Sequence, residues 1–201
     1  MALPLRDYVQ QVLIERDRAS QIHAAVHNAW QQTKDKYPER GRWVRKSTFR
    51  GLMWEAAVRE LEKIGHDDPD FSSVFHCDTA SFVIEQAVLF RFKHADAALT
   101  TANYPTAEAV AFDDHEVDLW GFKGLQRVEL CYVLDEFETS VIWVGVAARL
   151  HGKFLWKIEL DAAGIATPLE GELFREDVDA SKLARIKRPA DDQDEEKKDR
   201  G

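Results

Sequence analysis

The segment VLFRFKHAD, residues 88–96, carries charged side chains inside an apolar run. Arg91, Lys93 and His94 are residue types that bind phosphates or transfer protons. Because side chains alternate along a strand, Arg91 and Lys93 share one face of the predicted strand, and the phenylalanines occupy the other. A metal-independent ribonuclease using Arg91, Lys93, His94 and a strand carboxylate is therefore one hypothesis.

A metal-dependent nuclease is a poorer match to the same strand. That site needs an acid two residues before the lysine, with a second carboxylate upstream, which Asp78 or Glu85 would supply. Arg91 stands at the acid's position, and a guanidinium cannot bind a cation. We therefore expect Arg91 and Lys93 to pair with acidic loops or to face solvent.

Three other groups of polar residues fail as chemical sites. The acidic loop FDDHEVDLW has Leu119 where a calcium loop has Gly and Leu125 where it has Glu, so we interpret it as a solvated loop. His23 and His27 lack the neighbouring Glu of a zinc protease helix, and consecutive residues of HCD at 76–78 alternate faces. The sequence predicts no catalytic residue, no metal ligand and no cofactor.

Basic residues are concentrated between positions 34 and 50, where Asp35 and Glu39 are the only acids. Tyr37, Trp43 and Phe49 lie among them, and basic residues mixed with aromatic ones can follow a phosphate backbone and stack on bases. A soluble loop that anchors Trp43 in a core, or a surface for an acidic protein, would have the same composition. With the strand residues included, the candidate nucleic-acid contacts are Lys34, Lys36, Arg40, Arg42, Arg45, Lys46, Arg50, Arg91 and Lys93.

Hydrophobic periodicity predicts the elements that position these residues. Apolar residues recur at helical spacing from Leu5 to Trp30, which predicts one long helix, and a second helix follows from Ser47 to Gly65. The period then changes to two, which predicts a hairpin turning at Glu85-Gln86, a short strand AEAVAF, and three longer strands QRVELCYVL, SVIWVGVAARL and KFLWKIEL.

The order of these elements predicts an α+β fold. Two N-terminal helices pack on one face of a mainly antiparallel sheet, and the absence of strand–helix alternation argues against a Rossmann-like fold. We divide the chain into a helical region, 1–66, a sheet region of the same domain, 67–161, and a charged tail, 162–201, that forms a short amphipathic helix and then becomes disordered.

Composition restricts the class of protein further. The 201 residues are 45% hydrophobic and carry a net charge of −9, with a basic region before residue 67 and an acidic region after it. The start of the chain lacks a signal-peptide pattern, and no apolar run is long enough to cross a membrane. With two cysteines, a cytoplasmic protein is expected.

The tail supplies the predicted contacts with a protein partner. A short amphipathic helix in a disordered segment is typical of chains that order in a partner's groove. The candidate contact residues are Leu173, Phe174, Val178, Leu183, Arg185, Ile186, Lys187 and Arg188.

The sheet region also resembles a known family. The succession VLFRFKHAD, NYPT, AVAF, VELCYVLDEFETSVIWVGVAAR and FLWKIEL, within residues 70–160, is similar to a family of poorly characterised bacterial proteins. Its members are encoded beside helix-turn-helix regulators fused to a metallopeptidase-like domain, in gene pairs regarded as toxin–antitoxin or phage-defence modules. The resemblance implies a regulatory partnership and no catalytic residues.

The leading hypothesis is a non-enzymatic regulatory protein that acts by protein–protein binding, as one component of such a gene pair. The first alternative is a nucleic-acid-binding module that uses residues 34–50. The second alternative is the metal-independent ribonuclease toxin.

Overall fold

The computed structural model describes residues 3–76, 79–101, 107–115, 124–151 and 153–169. The first half contains helices α1 (Arg6–Ile14), α2 (Arg18–Lys36) and α3 (Lys46–Asp67), then strands β1 (Phe71–His76), β2 (Thr79–Ile84) and β3 (Val88–Ala95). The second half contains helix α4 (Ala107–Asp113) and strands β4 (Gln126–Leu134), β5 (Val141–Leu150), β6 (Lys153–Leu160) and β7 (Ala166–Pro168). The α+β fold class is confirmed.

The seven strands form one sheet in chain order, from β1 to β7. Every neighbouring pair is antiparallel except β3 and β4, which run parallel from Val88 beside Gln126 to Ala95 beside Val133. A parallel pair cannot be joined by a hairpin, so the chain makes a crossover that contains α4. The sheet is mainly antiparallel, as predicted, but it is not an unbroken meander.

The segment AEAVAF is helical, so the prediction of a strand there was wrong. Within α4, Ala109 and Phe112 are buried three residues apart while Val110 is exposed, which is helical rather than alternating burial. Alanine favours helices, and the crossover between parallel strands places the segment over the face of the sheet.

The first predicted helix is also interrupted. Residues Glu15–Asp17 form a 3₁₀ turn in which Arg16 and Asp17 adopt left-handed conformations, with φ of 51° and 60°. Two successive non-glycine residues with positive φ are costly, so the tertiary structure must hold this turn. The single helix from Leu5 to Trp30 is therefore two helices, α1 and α2.

The predicted hairpin is confirmed at Glu85-Gln86, where both residues have positive φ and join β2 to β3 in a tight turn. Gly65 does not end α3, which continues to Asp67. A Cβ at Gly65 would lie 2.7 Å from the carbonyl oxygen of Phe71, so this glycine permits β1 to approach the helix. Strand β7 extends the sheet beyond residue 161, where the sequence placed its end.

The main core lies between the N-terminal helices and one face of the sheet. Its members from α1, α2 and α3 include Val9, Val26, Met53 and Leu61, and its members from the sheet include Phe82, Phe90, Leu130, Val146 and Ile158. On the opposite face, Phe112 of α4 packs against Val83 and Leu89 in a smaller cluster. The helices α1–α3 and α4 therefore cover opposite faces.

A buried ion cluster connects the helices to the sheet. The side chain of Arg18, at the start of α2, has 0% exposure, and it donates to Asp68 Oδ2 and to Glu85 Oε1, both at 2.6 Å. A third bond reaches the Val12 carbonyl at 3.0 Å. Arg16 adds a bond of 2.6 Å to Asp68 Oδ1. The cluster thus joins the 3₁₀ turn, the end of α3 and the β2–β3 turn.

Opposing effects set the pKa of Asp68. Burial by itself would raise the pKa of this carboxyl, but the hydrogen bonds from Arg18 and from the Asp70 N–H, together with the charges of Arg18 and Arg16, hold it below its ordinary value. A depressed pKa in the folded state contributes stability above the unfolded pKa of about 3.9. This contribution is lost as the pH falls through the folded-state pKa.

We predict that Asp68→Asn lowers the free energy of unfolding at pH 7 by about 3 kcal/mol, because it leaves the Arg18 charge buried with one carboxylate instead of two. Asp70→Asn is the matched control. Its side chain is 45% exposed and its ion pair with Arg16 contributes under about 1 kcal/mol. Urea denaturation measures both, and equal losses in the two variants would contradict the structural role of the cluster.

The pH dependence of stability gives an independent test. The wild-type protein should lose stability below about pH 4 as Asp68 becomes protonated. Asp68→Asn should lack this part of the acid destabilisation, because no carboxyl remains there to titrate. Parallel stability-versus-pH curves for the two proteins, measured by urea denaturation between about pH 3 and 7, would refute the depressed pKa.

Candidate functional site

A pocket of about 370 Å³ lies between the start of α3 and the β4–β5 turn. One side is formed by the 3₁₀ turn Pro38–Arg42 and the residues that follow it, and the other by residues 137–139. The side chains that matter for its chemistry are Arg40, Trp43, Arg45, Phe49, Phe137 and Glu138, and we call this site the basic pocket. It falls within the size range of small-ligand sites.

The short connection between α2 and α3 shapes the first side. Pro38 begins the 3₁₀ turn, where its fixed φ is favourable and its missing N–H is not needed. The rings of Tyr37 and Trp43 meet edge to face with centroids 5.5 Å apart, and the guanidinium of Arg40 lies 5.3 Å from the ring centroid of the buried Phe49. These contacts fix the arginine and the tryptophan beside each other.

The β4–β5 turn forms the second side. The carboxylate of Asp135 accepts hydrogen bonds from the N–H groups of Thr139 and Ser140 and from the Thr139 hydroxyl. These bonds, chiefly those from Thr139, lower the pKa of Asp135. The turn holds Phe137 with 78% of its surface exposed.

An ion pair connects the two sides. Arg50 of α3 binds Glu138 Oε1 through Nη2 at 2.6 Å and through Nε at 2.8 Å. The Glu138 side chain is 12% exposed, so its charge is partly removed from solvent. Arg50 is therefore engaged within the protein, whereas Arg40 and Arg45 line the pocket itself.

The charges of this ion pair shift the pKa of His94. Burial lowers the pKa of His94, and the Arg50 charge lowers it further, against smaller opposing effects of Glu138 and Asp96. Its ring meets the ring of Tyr132 edge to face at 5.2 Å. Tyr132 is fully buried, and burial raises the pKa of its hydroxyl well above the ordinary value. Both side chains are consequently neutral near pH 7.

The structure brings together only part of the predicted nucleic-acid surface. Lys34 lies over the ring of Trp30 at 4.6 Å, and Lys36 lines a separate groove between α2 and α3. Arg42 is exposed on the 3₁₀ turn next to the basic pocket, and the side chain of Lys46 lies outside the described part of the chain. Arg40 and Arg45 are the two predicted residues that line the basic pocket directly.

Arg91 and Lys93 do not belong to this surface. Arg91 is only 6% exposed, so of the two predicted alternatives, pairing with an acidic loop or facing solvent, the second was wrong for this residue; Lys93 is half-buried. Both lie on the α4 face of the sheet with Leu89, whereas His94 contacts Tyr132 on the face covered by α1–α3. The ribonuclease grouping of Arg91, Lys93 and His94 is therefore divided between two faces.

Several predicted residues lie outside the described ranges. They include Cys77 and Asp78, and all eight tail contacts: Leu173, Phe174, Val178, Leu183, Arg185, Ile186, Lys187 and Arg188. The predicted disorder of the tail lies there too. Conversely, the sequence analysis did not identify Phe137 or Glu138, which lie in DEFET, the short connection between the predicted strands QRVELCYVL and SVIWVGVAARL. The available signal was a phenylalanine at the centre of an otherwise polar turn.

Comparison of the chain with protein-family models, with curated proteins and with solved structures gives no match. The family resemblance therefore stays a prediction. No helix in the described ranges combines the length and apolar composition needed to cross a bilayer. In those same ranges, no cluster of three or more His, Cys, Asp or Glu side chains is arranged to hold a metal ion.

We predict that Arg50→Gln raises the pKa of His94, because it removes a positive charge that disfavours the imidazolium. Glu138→Gln should lower the same pKa, since it removes a favourable negative charge. An NMR titration of the His94 ring measures both shifts, with Arg59→Gln on the exposed face of α3 as a control. Shifts of the same sign in the first two variants would contradict the placement of this ion pair beside His94.

Proposed function

We propose that the protein is a binding module that takes up single-stranded nucleic acid in the basic pocket. The observation that carries the proposal is the exposed Phe137 ring, 78% accessible, on the same pocket as Arg40 and Arg45. A base that stacks on Phe137 would remove an apolar ring from water, and the neighbouring guanidiniums would meet its phosphates.

The aromatic groups distinguish this ligand from a generic acidic one. Trp43 is half-buried and held by Tyr37, so its remaining exposed surface is already oriented before binding. An ordered ring loses little conformational entropy when a base stacks on it. An acidic peptide would use the arginines but would gain little from the exposed Phe137.

Electrostatics limits the expected affinity. Arg50 is paired with Glu138, so among the described side chains Arg40, Arg45 and the exposed Arg42 are the cations available to a bound strand. The chain carries a net charge of −9, so binding must depend on this local group rather than on the overall charge. We infer a short contact, of two or three phosphates.

Phe137→Ala should weaken binding of a fluorescent oligothymidylate about fivefold or more, because stacking on one ring contributes about 1–3 kcal/mol. Phe75→Ala is the matched control, since Phe75 is also exposed, at 54%, but lies on β1 away from the pocket. Fluorescence anisotropy gives the dissociation constants. Equal affinity of the wild-type protein, Phe137→Ala and Phe75→Ala would refute the stacking site. Competition by polyglutamate as strong as competition by unlabelled oligothymidylate would refute it too.

Salt dependence tests the number of phosphate contacts. Two or three contacts with a single strand predict a slope of log affinity against log salt of about −1.4 to −2. Arg45→Gln should make the slope less steep by about 0.7, whereas Arg59→Gln should leave it unchanged. A flat response in the wild-type protein would exclude phosphate binding at this pocket.

The regulatory partnership is our second proposal, and it rests on the tail. Among the described residues the main core reaches Ala166, and the predicted contacts lie later in the chain, from Leu173 to Arg188. On this proposal, removing residues 170–201 leaves the unfolding midpoint unchanged and abolishes co-purification with the neighbour-encoded protein. Retained co-purification after the truncation would exclude the tail as the contact.

A further inference from the structure

The α4 face of the sheet carries a line of polar residues across three strands. Ser81 of β2 lies beside Arg91 of β3, and Arg91 lies beside Glu129 of β4. Each of the three is buried, with less than a tenth of its surface exposed. Buried charges need partners, so the hydrogen bonds of each member decide its role.

The arginines next to this line are satisfied within the protein. Arg127 donates to the carbonyl oxygens of Ala111 and Asp114 at 2.7 and 3.0 Å, and so holds the end of α4. Arg149 binds Glu129 Oε2 at 2.6 Å and also donates to the carbonyl of Leu99. Fixed partners of this kind indicate a structural role for both residues.

Arg91 is different, because its guanidinium is buried with little compensation. Its Nη2 reaches Thr79 Oγ1 only at 3.5 Å, its Nε has no acceptor, and the adjacent Ser81 hydroxyl has no partner among the described residues. The ring of Phe112 covers it, with the guanidinium carbon 5.4 Å from the ring centroid. Glu129, its neighbour on β4, already binds Arg149 and accepts from the Thr101 hydroxyl at 3.2 Å.

The geometry points to a binding site for an oxyanion, a carboxylate or a phosphate group, held by the Arg91 Nε–Nη2 edge and the Ser81 hydroxyl beneath α4. That edge presents two parallel N–H groups, the arrangement that binds two oxygens of one anion. One oxygen of the ligand would accept from Arg91 Nε and from Ser81, which would satisfy both unpartnered donors. This site lies on the opposite face from the core and does not depend on the basic pocket.

The charges around the site are of both signs. Lys93, two residues after Arg91 on the same face, adds a second cation. Asp113 lies at the end of α4, where burial and the neighbouring Glu129 raise the pKa of its carboxyl against the opposing effects of Arg149, Arg91 and His115. The positive charges of Arg91 and Lys93 favour an anionic ligand, and the Asp113 carboxyl reduces that preference when it is ionised.

Partly buried side chains border the site. Ser81 and Arg91 are buried, whereas Thr79, Lys93 and Asp113 are each only partly buried. An anion would enter past these three side chains and move inward to Arg91. On such a route the charge of the half-buried Lys93 would attract the ligand.

The test follows the Nε–H resonance of Arg91 in the ¹⁵N-labelled full chain as sodium phosphate or sodium acetate is added at constant ionic strength. We expect a saturable shift of this resonance with one or both anions, and no shift of the Arg149 Nε–H, which is already bound to Glu129. Whichever anion saturates at the lower concentration identifies the preferred oxyanion. An Arg91 resonance that does not move, or that moves equally with chloride, overturns the proposal.

Two variants assign the effect to this site. Ser81→Ala should raise the apparent dissociation constant about tenfold, because it removes a hydrogen bond to a charged group. Arg45→Gln should leave the titration unchanged, since Arg45 belongs to the basic pocket. Loss of the response in Arg45→Gln, or an unaltered response in Ser81→Ala, would contradict the assignment. Oligonucleotide binding that fails while the Arg91 titration succeeds would remove only the proposed function.

Discussion

The buried guanidinium of Arg18 is the interaction on which the described fold depends most. Its two carboxylate partners are Asp68, just after α3, and Glu85, in the β2–β3 turn. Burial by itself would lower the pKa of Arg18, but these partners raise it above the ordinary value, so the charge is retained in the interior. Because the same group also binds the Val12 carbonyl, it fixes the break between α1 and α2. One side chain thereby sets the position of three helices on the sheet.

The sheet divides the charged residues of the chain into two separate environments. On the side of α1–α3, Arg18 is buried with two carboxylate partners, whereas the arginines of the basic pocket lie at the periphery between two chain connections. On the α4 side, Arg91, Arg127 and Arg149 are buried among carbonyl groups and a carboxylate. Net charge summed along the chain hides this division. Desolvation makes the second environment the more demanding one, since a buried charge without a partner costs far more than an exposed one.

Hydrogen-bond satisfaction separates structural charges from candidate binding groups. Arg18 leaves one buried nitrogen without a described partner, but its other nitrogens bind two carboxylates. Arg149 binds one carboxylate and one carbonyl. Arg91 forms no described hydrogen bond with a carboxylate. Its one described hydrogen-bond partner is the Thr79 hydroxyl, at 3.5 Å. Phe137 is also a candidate binding group, because its apolar ring is exposed to solvent at a turn that hydrogen bonds hold in place.

The sequence by itself determined the α+β class, the hairpin at Glu85-Gln86 and the three long strands, because local periodicity and turn chemistry decide these features. Only the tertiary structure decided that β3 and β4 pair in parallel, that AEAVAF is a helix and that Arg16 and Asp17 break the first helix. Each of these depends on contacts between residues far apart in the chain. The sequence located the basic side of the pocket, but not the β4–β5 turn that completes it. For Arg91 it left open pairing with an acidic loop or exposure to solvent, because alternation along a strand assigns a face and gives no information about what covers that face.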